Sequence, residues 1–102
     1  MGANRKLQDP FVDALFEALM LLRSKEEFYR FFEDLVTIGE IKSLAQRLEV
    51  AKMLDQNETY IKIAEVTGAS TATISRVKRC LNYGADGYRL VLDRLKEKKA
   101  GE

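Results

Sequence analysis

The sequence has no histidine and one cysteine, Cys80, and its only proline is Pro10. With one cysteine, no disulfide can form within the chain, and a metal site built from His and Cys ligands is nearly ruled out. Acid–base catalysis by histidine is excluded. We therefore expect a protein that binds a partner, with no enzymatic activity, no metal and no cofactor.

Long hydrophobic runs are also missing. The longest unbroken apolar stretch is Ala18–Leu22, far too short to span a membrane. Arg5 and Lys6 near the start are not followed by the apolar segment of a secretory signal, so we expect a cytoplasmic protein without a membrane partner. The chain has 102 residues, of which 46% are hydrophobic and 32% charged. This composition predicts one globular domain over residues 1–102.

The formal net charge of +1 hides an uneven distribution of charge. Residues 1–57 hold eight basic and ten acidic side chains, whereas residues 58–102 hold nine basic and six acidic ones. Between Ser70 and Asn82 lie three basic residues and no acidic one. A local basic stretch in a nearly neutral protein indicates a surface that faces a polyanion, although many such stretches are only solvated helix faces.

The hydrophobic pattern is helical almost throughout, and strand-like alternation is absent. Capping signals place the first three helix starts at Asp9-Pro10, Ser24 and Thr37, the last two with a glutamate three residues later. Further helices are predicted over about 58–66, 70–81 and 86–98. The fold class is therefore all-α, with six helices.

The first two predicted helices carry more apolar surface than a chain of this size readily buries. Four aromatic residues fall within Phe28–Phe32 alone. A second copy of the chain could complete the core, so we favour a homodimer. A compact monomeric bundle is the alternative.

Residues 58–82 have the pattern of a helix-turn-helix. Ala64 is small where two helices would cross, and Gly68 suits a turn that needs a positive φ. Three apolar side chains would fix the angle between the helices: Ile63, Ile74 and Val77. The N-terminal half of the second helix would then face outward, which is the half that enters a major groove.

The side chains of that second helix suit double-stranded DNA. Hydroxyl and methyl groups can contact phosphates or base edges, and the basic groups can neutralise phosphates. The predicted DNA-binding residues are Ser70, Thr71, Ala72, Thr73, Ser75, Arg76, Lys78 and Arg79. The alternative is an ordinary helical hairpin in which Gly68 only ends a helix.

The run Gly68–Arg76, read with Leu35–Thr37 and with Arg47 ten residues further on, resembles the tryptophan repressor family. The resemblance implies an intertwined all-α homodimer that acts as a repressor on a palindromic operator. Members of this family are themselves established examples of helix-turn-helix docking and of water-mediated base contacts. The resemblance also implies a small-molecule effector site. In the family, tryptophan lies between two arginines, one from each subunit, which match Arg47 and Arg76, and Thr37 matches a residue near the ligand's amino group.

The sequence departs from the family pattern in four places. The family's glycine after the second arginine is Val77 here, and a serine three residues later is Cys80. The family's proline after the threonine is Ile38, and the connection near Asn57–Thr59 is one residue shorter. Because Val77 adds bulk where the ligand ring would approach, we expect that tryptophan does not bind, and that the effector is another molecule or none.

Two other functions are compatible with a small helical protein. A protein-interaction module without DNA binding would be expected to have an acidic or apolar second helix, and Arg76–Arg79 argue against it. RNA binding lacks an aromatic stacking platform on the basic segment. The sequence therefore favours a sequence-specific DNA-binding transcriptional regulator.

Overall fold

A computed structural model describes residues 8–101. Over this range the chain forms six α-helices and no strand. The helices are α1 (Pro10–Met20), α2 (Lys25–Leu35), α3 (Ile38–Asp55), α4 (Tyr60–Thr67), α5 (Thr71–Tyr83) and α6 (Gly87–Ala100). This confirms the predicted all-α fold. The charges at Arg5 and Lys6 lie outside the described residues. The chain divides into two compact units, one ending at Lys42 and the other running from Ser43.

The helix starts of the first unit follow the predicted capping residues. Asp9 Oδ1 accepts hydrogen bonds from the backbone N–H groups of Phe11 and Val12, at 2.8 and 2.9 Å. The pair at the start of α3 is reciprocal: Thr37 N–H donates to Glu40 Oε1 at 2.8 Å, and Glu40 N–H donates to Thr37 Oγ1 at 3.1 Å. The hydrogen bond from the backbone N–H of Thr37 is the main cause of the lowered pKa of Glu40, and a hydrogen bond from the Thr37 side chain adds to it, because both favour the charged carboxylate.

The capping arrangement of α2 differs from the prediction by one residue. Ser24 Oγ accepts from Glu27 N–H at 3.2 Å, as expected. The carboxylate of Glu27, however, accepts from Arg23 N–H at 2.7 Å and not from Ser24. The carboxylate of Glu27 therefore satisfies the amide of the residue before the N-cap in place of the N-cap amide.

The apolar side chains of the first two helices, α1 and α2, are not buried in a core. No residue of α1 or α2 is buried, and Phe11 and Met20 are 88% and 82% exposed. The rings of Phe31 and Phe32 meet edge-on with centroids 6.0 Å apart. These helices thus present an unburied apolar surface, which agrees with the surplus noted in the sequence.

The buried core lies in the second unit. It takes side chains from α3, α4, α5, α6 and the turn before α5: Val50, Ala51, Met53, Ile63, Ala69, Ile74, Val77 and Leu92. Burial of Ile63, Ile74 and Val77 confirms their predicted packing. In α3, Ala45 is exposed, whereas Val50 is fully buried.

The start of α4 differs from the prediction by two residues, as do the ends of α5 and α6. The helix begins at Tyr60, not near Glu58, and Thr59 is its N-cap. The reason is the end of α3, where Asn57 has a φ of 63°. Glu58 N–H donates to Met53 O, and Asn57 N–H donates to Leu54 O, both at 3.0 Å. This pair of bonds is a Schellman motif with asparagine in the left-handed position, and it delays the next helix.

Candidate nucleic-acid interface

Helices α4 and α5 are joined by a short turn, residues 68–70. Gly68 closes α4 with a φ of 74°. Thr67 Oγ1 donates to Ile63 O at 2.7 Å and accepts from Ala69 N–H at 3.1 Å. Gln46 of α3 also donates to Thr67 O, at 3.1 Å. The turn is therefore held both by its own hydroxyl and by a neighbouring helix.

Most of the predicted DNA-binding residues are exposed along α5 and its cap. Thr73 is half-buried, and the exposed residues are Ser70, Thr71, Ala72, Ser75, Arg76, Lys78 and Arg79. Helical spacing places Thr71, Ser75 and Arg79 on one face, because residues four apart are neighbours on a helix. Their roles in DNA binding stay predictions.

Three of these side chains already have partners within the chain. Ser70 Oγ caps α5 by accepting from Thr73 N–H at 3.1 Å, and it donates to Thr73 Oγ1 at the same distance. The ammonium group of Lys78 lies 5.7 Å from the ring centroid of Tyr60, a cation–π contact with α4. Lys78 is thus drawn toward α4, which leaves Arg79 as the basic side chain on the face of Thr71 and Ser75.

A small cavity lies beside α5. Its volume is about 160 Å³, and its lining residues are Ser43, Gln46, Arg47, Thr73, Arg76, Val77, Cys80 and Tyr88. We call it the arginine cavity. Arg47 and Arg76, the predicted effector pair, both line it within one chain. The arrangement of one arginine from each subunit, which the resemblance implies, stays a prediction.

Thr37, the third predicted effector residue, belongs to the other unit. There it caps α3 and lines a separate cavity formed by residues 26–41. The arginine cavity is lined only by residues from Ser43 onward. Thr37 is therefore not among the residues that the structure gathers around the two arginines.

Two residues at the family's ligand position behave differently from each other. Val77 is 2% exposed and belongs to the core, yet it also lines the arginine cavity. The thiol of Cys80 is free and exposed. Cys80 lies one helical turn beyond Val77, and its side chain points out of the core.

Tyr88 of α6 is the cavity residue that the sequence analysis missed. Nothing in its position along the sequence links it to Arg47 or Arg76. In the structure Tyr88 packs against the core and also lines the arginine cavity. Burial raises the pKa of its phenol, the nearby Cys80 thiol adds to the increase, and the charges of Arg47 and Arg76 partly oppose it.

Within residues 8–101 no helix is long and apolar enough to cross a membrane. The same part of the chain holds no group of three or more His, Cys, Asp or Glu residues placed to bind a metal ion.

The family model described as Trp repressor protein matches residues 11–96 of this chain. The chain belongs to the Trp repressor protein family. The match covers all of α2 to α5 and most of α1 and α6. Membership supports the interpretation of the chain as a DNA-binding regulator.

Three relatives extend this family assignment. Uncharacterized protein YerC of Bacillus subtilis (strain 168) is 63% identical over 92 residues, which cover 90% of this chain and 88% of that protein. The crystal structure of a TrpR-like protein from Eubacterium eligens ATCC 27750 has a TM-score of 0.88 at 59% identity, covering 91% of this chain and 96% of that chain. A crystal structure from Staphylococcus aureus, described as that of a candidate Trp repressor, has a TM-score of 0.86 at 53% identity, covering 90% and 92%.

Proposed function

We propose that this protein is a sequence-specific DNA-binding transcriptional regulator, a repressor that acts as a homodimer on a palindromic operator. In this proposal α4, the turn at 68–70 and α5 form the helix-turn-helix. The observation that carries it is the exposed polar and basic face of α5, displayed beside a turn that Gly68 and Thr67 fix. Family membership supports the same conclusion.

The proposed contacts divide into two kinds. Arg76 and Arg79 neutralise phosphates, while Thr71, Ala72 and Ser75 contact base edges from the N-terminal half of α5. Lys78 contributes charge near the backbone from its position over Tyr60. Repression then requires only that the bound protein block access to a promoter, so we propose no enzymatic activity.

The dimer follows from the unburied surface of α1 and α2. Their apolar residues gain little burial from folding of a single chain, since none is fully buried. A partner chain that covers this surface would add the missing core. Two recognition helices related by a two-fold axis would read two half-sites, which is why the operator is expected to be palindromic.

A selection from genomic DNA fragments, followed by affinity measurements at several salt concentrations, tests the proposal. Arg79→Gln should weaken binding to all duplexes and reduce the slope of log K against log salt by about one. Thr71→Ala should instead change the preferred sequence.

Arg94→Gln is the matched control, because it removes the same charge from an exposed position on α6. It should leave both affinity and sequence preference close to those of the parent protein. Failure of the parent protein to select any sequence, or equal effects of Arg79→Gln and Arg94→Gln, would contradict the assignment of α5 and favour a protein-interaction module.

A further inference from the structure

Lys78 of α5 contacts the neighbouring helix α4 through an aromatic ring. Its ammonium group lies 5.7 Å from the centroid of the Tyr60 ring, within the distance of about 6 Å at which a cation is attracted to an aromatic face. None of the salt bridges within residues 8–101 includes Lys78. An aromatic ring carries no charge, and an ammonium group has three N–H donors. Lys78 therefore keeps its charge and its donors for another acceptor.

The Tyr60 ring is restrained in both its backbone and its side chain. Tyr60 is the first residue of α4 and follows the N-cap Thr59, whose Oγ1 accepts from Lys62 N–H at 3.1 Å. The side chain of Tyr60 is half-buried and packs against the core. Because the ring is held in place, its contact with Lys78 limits the conformations that the lysine side chain can adopt.

Lys78 lies at one edge of the exposed polar face of α5. It follows Ser75 by three residues and Thr71 by seven, spacings that place residues on the same side of a helix. It also follows the buried Ile74 by four residues, so it stands between the polar face and the core. The ring of Tyr60 thus holds the ammonium group where α4 borders α5. In a helix-turn-helix the first helix crosses the DNA backbone, so a cation at this border suits a phosphate group.

We propose that Tyr60 is a positioning residue for DNA binding, whose ring holds the ammonium group of Lys78 in place for one phosphate. A long side chain loses conformational entropy when it is ordered by binding, and the contact with Tyr60 causes part of that loss before the DNA binds. A phosphate contact carries no sequence information, but it fixes the orientation of α5 on the duplex. This inference rests on the proposed function and gives the first helix of the pair a part in it.

Nuclear magnetic resonance of the protein without DNA tests the contact itself. Because an aromatic ring shields the nuclei above its face, the ε-methylene protons of Lys78 should resonate upfield of those of other lysines. This shift should remain in Tyr60→Phe, which keeps the ring, and disappear in Tyr60→Leu. Tyr83→Leu is the matched control, since Tyr83 is a tyrosine of α5 that is 85% exposed, and it should leave the shift unchanged. Absence of the shift from the parent protein would overturn the inference.

A double-mutant cycle on DNA affinity separates positioning from a structural role. Fluorescence anisotropy measures binding to two duplexes, one from the genomic selection and one of unrelated sequence. Tyr60→Leu should weaken binding to both by about two- to fivefold, the size of a cation–π contact at an exposed site. Tyr60→Phe and Tyr83→Leu should bind like the parent protein. When Lys78→Gln is already present, Tyr60→Leu should cause no further loss, because no ammonium group is left to position.

Two further measurements support the cycle. Lys78→Gln alone should weaken binding to both duplexes and reduce the slope of log K against log salt by about one. Tyr60→Met is a second variant without the ring, and circular dichroism checks that each variant is folded.

Three results of the cycle would overturn the positioning role. An equal loss from Tyr60→Leu with and without Lys78 would mean that Tyr60 supports the fold or contacts the DNA itself. A loss in Tyr60→Phe as large as that in Tyr60→Leu would mean that the hydroxyl group acts, and not the ring. Binding like that of the parent protein by both folded variants without the ring would mean that Lys78 needs no support.

The same data separate failure of this inference from failure of the proposed function. If Arg79→Gln weakens binding and Lys78→Gln does not, α5 binds DNA without Lys78, and only this inference fails. If the parent protein binds neither duplex, the proposed function fails, and the positioning role fails with it.

Discussion

The carboxylate of Asp55 has two basic partners in the described chain. Its carboxylate accepts from Arg89 at 2.9 Å and contacts Lys96 at 2.8 Å, which ties the end of α3 to α6. The hydrogen bond from Arg89 is the main cause of its lowered pKa, and Lys96 adds to it. The sequence could not reveal these ion pairs, because Asp55 lies more than thirty residues from either basic partner. Each of the three residues also has an ordinary place on a polar helix face.

We predict that Asp55→Asn destabilises the protein by up to about 1 kcal/mol at neutral pH, since it removes two ionic contacts at a partly buried carboxylate. The pKa of Asp55 is lower in the folded protein than in the unfolded chain. Its contribution is therefore complete above the ordinary aspartate pKa of about 3.9 and disappears as the pH falls through the folded value. Urea unfolding at pH 7 and at pH 3 should show a difference between parent and variant that shrinks at the lower pH. Asp93→Asn, on the exposed side of Arg89, is the control and should have the smaller effect.

At the scale of whole elements, helix starts were predictable and helix ends were less so. Asp9, Ser24, Thr37 and Ser70 all cap helices as their side chains indicated. A cap depends on residues three apart, which can be read locally. The start of α4 depends instead on how α3 ends, through the left-handed conformation of Asn57, and the sequence analysis did not recognise asparagine in that role.

Gly68 allows an element-scale test in which two glycines respond in opposite directions. Gly68→Ala should destabilise the protein by about 1 kcal/mol, because its φ of 74° is unfavourable for a residue with a Cβ atom. Gly39 lies in the first turn of α3, where an added Cβ meets no atom within 4 Å. Gly39→Ala should therefore stabilise the protein by about 0.5 kcal/mol. Thermal unfolding at one protein concentration measures both changes in stability. If the two variants shift the unfolding midpoint in the same direction, this account is contradicted.

For the whole molecule, the family and the six-helix fold could be predicted from the sequence, while the arginine cavity could be predicted only in part. Arg47 and Arg76 were identified through the family's pattern, but their meeting within one chain was not. Tyr88 was missed because a tyrosine on the apolar side of a helix looks like an ordinary core residue. Which groups meet at such a cavity depends on how α3, α5 and α6 pack, and no local pattern encodes that.

We predict that the protein is an obligate dimer. Sedimentation equilibrium at micromolar concentrations should give about twice the chain mass of 11.7 kDa. The unfolding midpoint should rise with protein concentration, because dissociation accompanies unfolding. A stable folded monomer at all concentrations would contradict the intertwined architecture. Phe11→Asp should shift the equilibrium toward separate or unfolded chains, whereas Asp13→Asn, a polar change on the same helix, should not.

The unburied apolar surface of α1 and α2 also affects how the number of active dimers depends on the number of chains in a cell. If two chains must meet before these helices are covered, the number of active regulators rises with the square of the chain number while copies are scarce. In that case a chain without a partner would expose its first two helices to proteases and would be degraded sooner than the dimer. Small changes in synthesis would thus become larger changes in operator occupancy, and the response would be steeper than proportional without any ligand.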